Sequence, residues 1–173
     1  MSDAVLRSLA IFFFPVVVFV AGAGLMGVLA PGRKVAGQKP LNQRWGGYTK
    51  SEVDGYWRAL GDQGQRAEQR FLKLDLVFPA VYGAALCASL VATGRMVGGP
   101  VLVWPIVLVV LSMAADWVEN LVQIDQLRAY REHGEAGLSP RRIQVASIAT
   151  VVKLVGGVAS LLLLALLLLL APR

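Results

Sequence analysis

The sequence predicts an all-α polytopic membrane protein, a four-transmembrane-helix bundle with a short amphipathic interfacial helix. Three observations lead there. Apolar residues stand in four long blocks, about 5–30, 71–92, 101–123 and 143–170, without the 2- or 3.6-residue alternation of a half-buried element. Each block is close to or above the roughly 20 residues a helix needs to cross a bilayer. The 173 residues are 56% hydrophobic and 16% charged, with mean hydropathy +0.61, against about 25% charged in soluble domains. The remaining polar residues gather in two loops, 31–70 and 126–140. The whole chain, 1–173, is read as a single membrane domain.

Net charge is +6. The basic residues flank apolar blocks and lack the aromatic interleaving that stacks bases, so no nucleic-acid partner is expected. Membrane lipids, through their anionic headgroups, are the expected partners of that charge. The lone Cys87 excludes a disulfide framework and a cysteine-based zinc site. The single histidine, His133, lies in a polar stretch and reads as solvated. No metal-ligand set, phosphate loop or cofactor motif is visible, so no cofactor is expected and no reaction is indicated.

In the first block Arg7 precedes an apolar run longer than the 7–15 residues of a signal-peptide core, which favours a retained span bent at Pro15. Gly22-Ala23-Gly24-Leu25-Met26-Gly27 matches G-x-G-x-x-G. A dinucleotide site needs a following helix and an acidic residue about 20 positions on. Here Pro31-Gly32 ends the segment and Gly46-Gly47-Tyr48 stands where the acid belongs. Close helix packing through small residues accounts for the glycines.

Loop 31–70 opens with turn residues, Pro31, Gly32, Pro40, Gly46 and Gly47. Thr49-Lys50-Ser51-Glu52 then reads as a capping box. Val53, Tyr56, Trp57 and Leu60 follow at helical spacing, and Gly61 reads as a stop. Such a helix can lie flat on a headgroup layer or pack on the bundle end.

The second block, 71–92, is expected to continue from a helix starting near Gln65. Asp75 and Tyr82 stand seven apart, with Pro79 between them. Proline removes the amide that would bond the carbonyl of Asp75, which leaves an oxygen-rich spot or a simple kink. Thr93 to Pro100, with Gly94, Gly98 and Gly99, is a short connection between antiparallel neighbours. The third block, 101–123, has Trp104 and Trp117 near its ends, as an aromatic belt requires. Its closing stretch carries Asp116, Glu119, Asn120 and Gln123 at i, i+3, i+4 and i+7, on one helix face. The fourth block follows Arg141-Arg142 and contains Lys153, with Gly157 and Ser160 at i+4 and i+7 on the same face. Leu161 to Leu170 carries no polar side chain and reads as lipid-facing.

With four spans, both polar loops share one side and both termini the other. The loop side carries thirteen cations, Arg33, Lys34, Lys39, Arg44, Lys50, Arg58, Arg66, Arg70, Lys73, Arg128, Arg131, Arg141 and Arg142, against Arg7, Arg95 and Arg173. The positive-inside rule makes the loops cytoplasmic and the termini external, in a bacterial inner (cytoplasmic) membrane.

That orientation places Asp75, Asp116, Glu119, Asn120 and Lys153 in one layer, within about 5–12 Å of the cytoplasmic interface at 1.5 Å per residue. A charge in hydrocarbon costs a few kcal/mol, so these groups must meet one another or water. Asp75, Tyr82, Asp116, Glu119, Asn120 and Lys153 are the candidate ligand-binding residues. Two readings compete. In one, Lys153 pairs with Asp116 or Glu119 and the cluster only fixes helix register. In the other, the carboxylates bind a small amphiphile, an amine or a cation, and Lys153→Met then matters less than loss of a carboxylate. The alternative function is an accessory or assembly subunit of a larger membrane complex, with a membrane-protein partner. Transport across the membrane ranks last, because the outer halves offer little beyond Ser89, Thr93 and Ser160.

Taken together, Gly61-x-x-Gly64-x-Arg66, Phe71-x-x-x-Asp75-x-x-Phe78-Pro79-x-x-Tyr82 and Asp116-x-x-Glu119-Asn120 resemble a pattern in small four-span bacterial membrane proteins. The resemblance covers the second and third blocks and the helix before them. It implies a four-span bundle and transfers no chemistry. A looser similarity to the emopamil-binding superfamily of sterol isomerases stops at a small bundle with carboxylates facing an apolar pocket. No histidine lies in any span here, so nothing is carried over from it.

Overall fold

The computed structural model describes residues 3–33, 35, 37–97 and 103–171. Its helices are α1 (Asp3–Leu29), α2 (Lys50–Leu74), α3 (Phe78–Val97), α4 (Val103–His133) and α5 (Pro140–Leu170), with 3-10 turns at Leu41–Gln43 and Gly134–Gly137. Among the described residues there is no β-strand, only an isolated bridge between Val35 and Gln38. Four helical stretches are long and apolar enough to cross a membrane: α1, the α2–α3 run, α4 and α5. The protein is an all-α, multi-pass four-helix bundle. Residues 98–100 of the expected connection, residues 101 and 102 where the third span was to begin, and the cations Lys34 and Arg173 lie outside the described residues.

The central pair is α4 and α5, joined by the turn at Gly134–Gly137 and by Leu138 and Ser139. Small residues let them approach: a Cβ at Gly156 would stand 3.2 Å from Ser112 Cβ. Ser112 Oγ donates to the Lys153 carbonyl at 2.9 Å, tying α4 to α5 at that level. α1 lies against α3, where a Cβ at Gly22 would overlap the Phe78 ring. The first glycine of the G-x-G-x-x-G match is thus a packing position, while Gly24 and Gly27 face open space. α1 runs through Pro15 without a break.

Two boundaries differ from the sequence reading. The second span does not rise from a continuous helix beginning near Gln65. The chain leaves α2 at Leu74, turns through Asp75–Val77 and starts a new helix at Phe78. Pro79 is therefore in the first turn of α3, where its missing N–H has no intrahelical partner to lose. Gly61 ends the first helical stretch of α2, where the sequence reading placed a stop. At φ 63 and ψ −179 it interrupts α2, which then resumes. Gln65 Nε2 donates to the Trp57 carbonyl at 2.9 Å, covering an acceptor that the interruption frees.

The second correction concerns 126–140, which is not a loop for most of its length. α4 continues to His133, because no glycine or proline intervenes before Gly134. Gln126, Leu127 and Tyr130 are buried on its inner side, and Arg128 pairs with Glu132 one turn on, on its outer side. The polar composition belongs to a helix end that outruns the apolar block.

Of the two placements open to the amphipathic helix, the structure shows the second. Val53, Tyr56 and Trp57 are buried against the bundle end, in a core with Leu41, Leu72, Leu127 and Ile143. Trp57 packs against Tyr130 with ring centroids 5.5 Å apart and ring planes tilted by 60°. The capping box forms as read: Thr49 Oγ1 accepts from Glu52 N at 3.4 Å and Glu52 Oε2 accepts from Thr49 N at 2.7 Å. A second core of Leu86, Leu90, Val109, Leu164 and Leu167 lies further along α3, α4 and α5.

Candidate functional site

α4 builds the site because its face at i, i+3, i+4 and i+7 turns inward. Asp116, Glu119, Asn120 and Gln123 are all buried, at 5, 0, 0 and 2% exposure. α5 brings Lys153 opposite them. Its Nζ lies 2.9 Å from Asp116 Oδ1 and 2.5 Å from Glu119 Oε2, bridging both carboxylates. The turn between α2 and α3 supplies Asp75, and the first turns of α3 supply Tyr82.

Each acceptor of the bridged pair is met. Asp116 Oδ1 also accepts from Asn120 Nδ2 at 3.2 Å, and Asp116 Oδ2 accepts from the Tyr82 hydroxyl at 3.3 Å. Glu119 Oε1 accepts from Gln123 Nε2 at 2.8 Å. Glu119 Oε2 has no further hydrogen bond, and its partner is the Lys153 ammonium. The Tyr82 ring is held by Phe78 at 5.3 Å and by Phe19 of α1 at 5.9 Å.

The Asp75 carbonyl, left open at the break between α2 and α3, is satisfied by the cluster. Asn120 Nδ2 donates to the Asp75 main-chain oxygen at 3.2 Å. Next to it, Trp117 Nε1 donates to the Leu76 carbonyl at 2.8 Å. The α2–α3 turn is therefore fastened to α4 at two successive carbonyl oxygens. The Asp75 carboxylate itself is buried, and among the described residues no cationic nitrogen lies within 4 Å of it. Asn120 Oδ1 and Gln123 Oε1 are buried without a hydrogen-bond partner.

The site has three carboxylates and one ammonium, with acceptors left over after the donors have been used. All six sequence-read residues, Asp75, Tyr82, Asp116, Glu119, Asn120 and Lys153, are brought together. Tyr48 was missed. Its hydroxyl accepts from Gln123 Nε2 at 2.8 Å and stands 3.4 Å from Thr150 Oγ1, extending the polar column toward the loop end of the bundle. Burial, reinforced by the Glu119 carboxylate, pushes the Tyr48 hydroxyl above the ordinary phenol range, so it stays neutral. No spacing pattern points to Tyr48, which lies in a loop and reaches α5 through its own amide, 2.7 Å from Ser147 Oγ.

A separate buried pair also escaped sequence reading. Arg33 Nε donates to Glu68 Oε2 at 2.7 Å and Arg33 Nη2 to Glu68 Oε1 at 3.3 Å, with the guanidinium 3.4 Å from the Phe71 ring centroid. Nη2 also donates to Asn42 Oδ1 at 3.1 Å, and Tyr56 donates to the Arg33 carbonyl at 2.8 Å. This pair ties the loop to α2 and is matched in charge. Arg33, one of the cations counted on the loop side, is therefore buried and neutralised.

Two cavities among the described residues lie near the loop end of α4 and α5. One, about 310 Å³, is a groove lined by Leu121, Val122, Asp125, Arg141, Arg142 and Val145. The other, about 10 Å³, lies among Tyr48, Trp57, Gln123, Gln126 and their apolar neighbours. Neither is lined by Asp75, Tyr82, Asp116, Glu119, Asn120 or Lys153. Among the described residues no group of three or more histidine, cysteine or acidic side chains is arranged to hold a metal ion.

Comparison of the chain with protein-family models, with curated proteins and with solved structures finds no significant match.

Proposed function

We propose that the chain is a bacterial inner-membrane protein with cytoplasmic loops and external termini. Its acidic cluster binds a small cation or amine at Asp75. The observation that carries this reading is the shortage of donors. Lys153 neutralises one of two bridged carboxylates, while among the described residues Asp75 has no cationic nitrogen within 4 Å and Asn120 Oδ1 and Gln123 Oε1 have no hydrogen-bond partner. A buried acceptor without a partner is costly, about 1–3 kcal/mol for each group. A bound ammonium-type cation would supply both the positive charge and the N–H donors. Asp75 stands at the helix break beside the exposed Leu74 and Val77, the natural point of entry from the headgroup side.

The test is a melting titration of the detergent-solubilised protein with methylammonium chloride, ionic strength being held with choline chloride. A ligand that binds the folded state raises the melting temperature with concentration. The wild type is expected to show that rise, and Asp75→Asn to lose it while keeping its folded yield. A flat response in the wild type contradicts the reading.

The second reading, an accessory subunit with a structural cluster, is favoured by α1. Phe13, Phe14, Val17, Val20, Leu25 and Val28 are exposed along it, and Gly24 and Gly27 have nothing opposite them. It expects Gly24→Leu to dissociate a larger complex extracted in mild detergent, with Asp75→Asn silent.

A further inference from the structure

We infer that the groove between α4 and α5 is a binding site for an anionic phospholipid. The inference is independent of the acidic cluster. The groove lies on the outside of the bundle at the start of α5, with a volume of about 310 Å³, at the lower end of the roughly 300–1,000 Å³ of ligand pockets. Its floor is apolar, formed by Leu121, Val122 and Val145. Leu121 and Val145 are half exposed, and the apolar surface continues along both helices through Val118 and Ile148. Its rim is charged: Asp125, Arg141 and Arg142.

The rim charges do not cancel. Arg142 Nη1 is paired with Asp125 Oδ2, which accounts for the one acid. Arg141 is exposed and makes no hydrogen bond or ion pair among the described residues. The groove therefore presents one uncompensated guanidinium at its polar end and hydrocarbon along its length. An anionic phospholipid has the complementary order, with a phosphate for Arg141 and the first part of an acyl chain for the floor. Guanidinium suits phosphate because its planar fork can donate two parallel hydrogen bonds. A free phosphate would make no use of the apolar floor, and a zwitterionic lipid brings a cation toward the same rim.

The experiment is native mass spectrometry of the full chain in detergent, with dioleoylphosphatidylglycerol or dioleoylphosphatidylcholine added at equal concentration. The wild type is expected to retain the phosphatidylglycerol preferentially. Arg141→Gln should weaken that retention about fivefold, the contribution of one basic residue near an anionic surface. Val145→Trp fills the groove without changing charge and should weaken it as well. Leu121→Trp is the second groove-filling variant, should the first be poorly folded. Equal retention of the two lipids overturns the assignment. So does a preference that survives both groove-filling variants, because attraction to diffuse surface charge would behave that way. Inorganic phosphate should not compete, and competition by it would mean an ion site without a lipid.

Discussion

Lys153 holds Asp116 and Glu119 at once, so replacing it with methionine strands two buried carboxylates. Breaking a buried ion pair by removing one partner costs about 3–5 kcal/mol. Lys153→Met should therefore lower folded yield and melting temperature sharply, and adding Asp116→Asn and Glu119→Gln should restore much of the loss. The sequence reading makes this lysine matter less than a carboxylate only if the carboxylates serve a ligand, and the double bridge gives Lys153→Met a structural cost in either case. Asp75→Asn is the opposite case, since among the described residues no cation within 4 Å is lost with the charge. Its melting temperature should equal or exceed that of the wild type when no ligand is added, as read by circular dichroism. The α4 acids were legible because helical spacing alone places them on one face, and Lys153 because it interrupts an apolar block. Tyr48 and the Arg33–Glu68 pair were not legible, because their partners are distant in sequence and no period connects a loop residue to a helix face.

At the scale of elements, α2 depends on its two irregular points. Hydrogen bonds from the Thr49 amide, then from its hydroxyl, hold the Glu52 carboxyl below the usual carboxylate range. A lowered carboxylate pKa contributes stability above the unfolded-state value, and that stability is lost as pH falls through the folded-state value. Melting followed from pH 7 to pH 3 should show α2 loosening over that range. Thr49→Ala should cost about 0.5–2 kcal/mol at neutral pH and flatten the pH dependence. Gly61 has backbone angles that are nearly glycine-only, so Gly61→Ala should destabilise by about 1–3 kcal/mol in denaturant unfolding. The capping box was legible because it is a local pattern. The break at Asp75–Val77 was not, since Pro79 is compatible with either a kink or a fresh start. The length of α4 was missed for a related reason. A helix that outruns the apolar block turns polar, and composition alone does not separate it from a loop.

For the whole molecule, four apolar helices form a bundle in which α4 and α5 are the centre and α1 lies to one side with an exposed apolar face. Membrane residence was legible from block length, which follows from bilayer thickness and needs no tertiary information. The convergence of three elements on one layer followed from topology, once two loops were assigned to one side. The pairing within that layer required coordinates, because which acid a single lysine reaches depends on fractions of a helical turn. The central claim is that this layer holds more acid than its own cation can match, with Asp75 the group left over. Equilibrium dialysis of the purified protein against radiolabelled methylammonium, beside Asp75→Asn, tests it most directly. The account predicts saturable binding to the wild type that disappears in the variant. No saturable binding, or binding undiminished in Asp75→Asn, would contradict it.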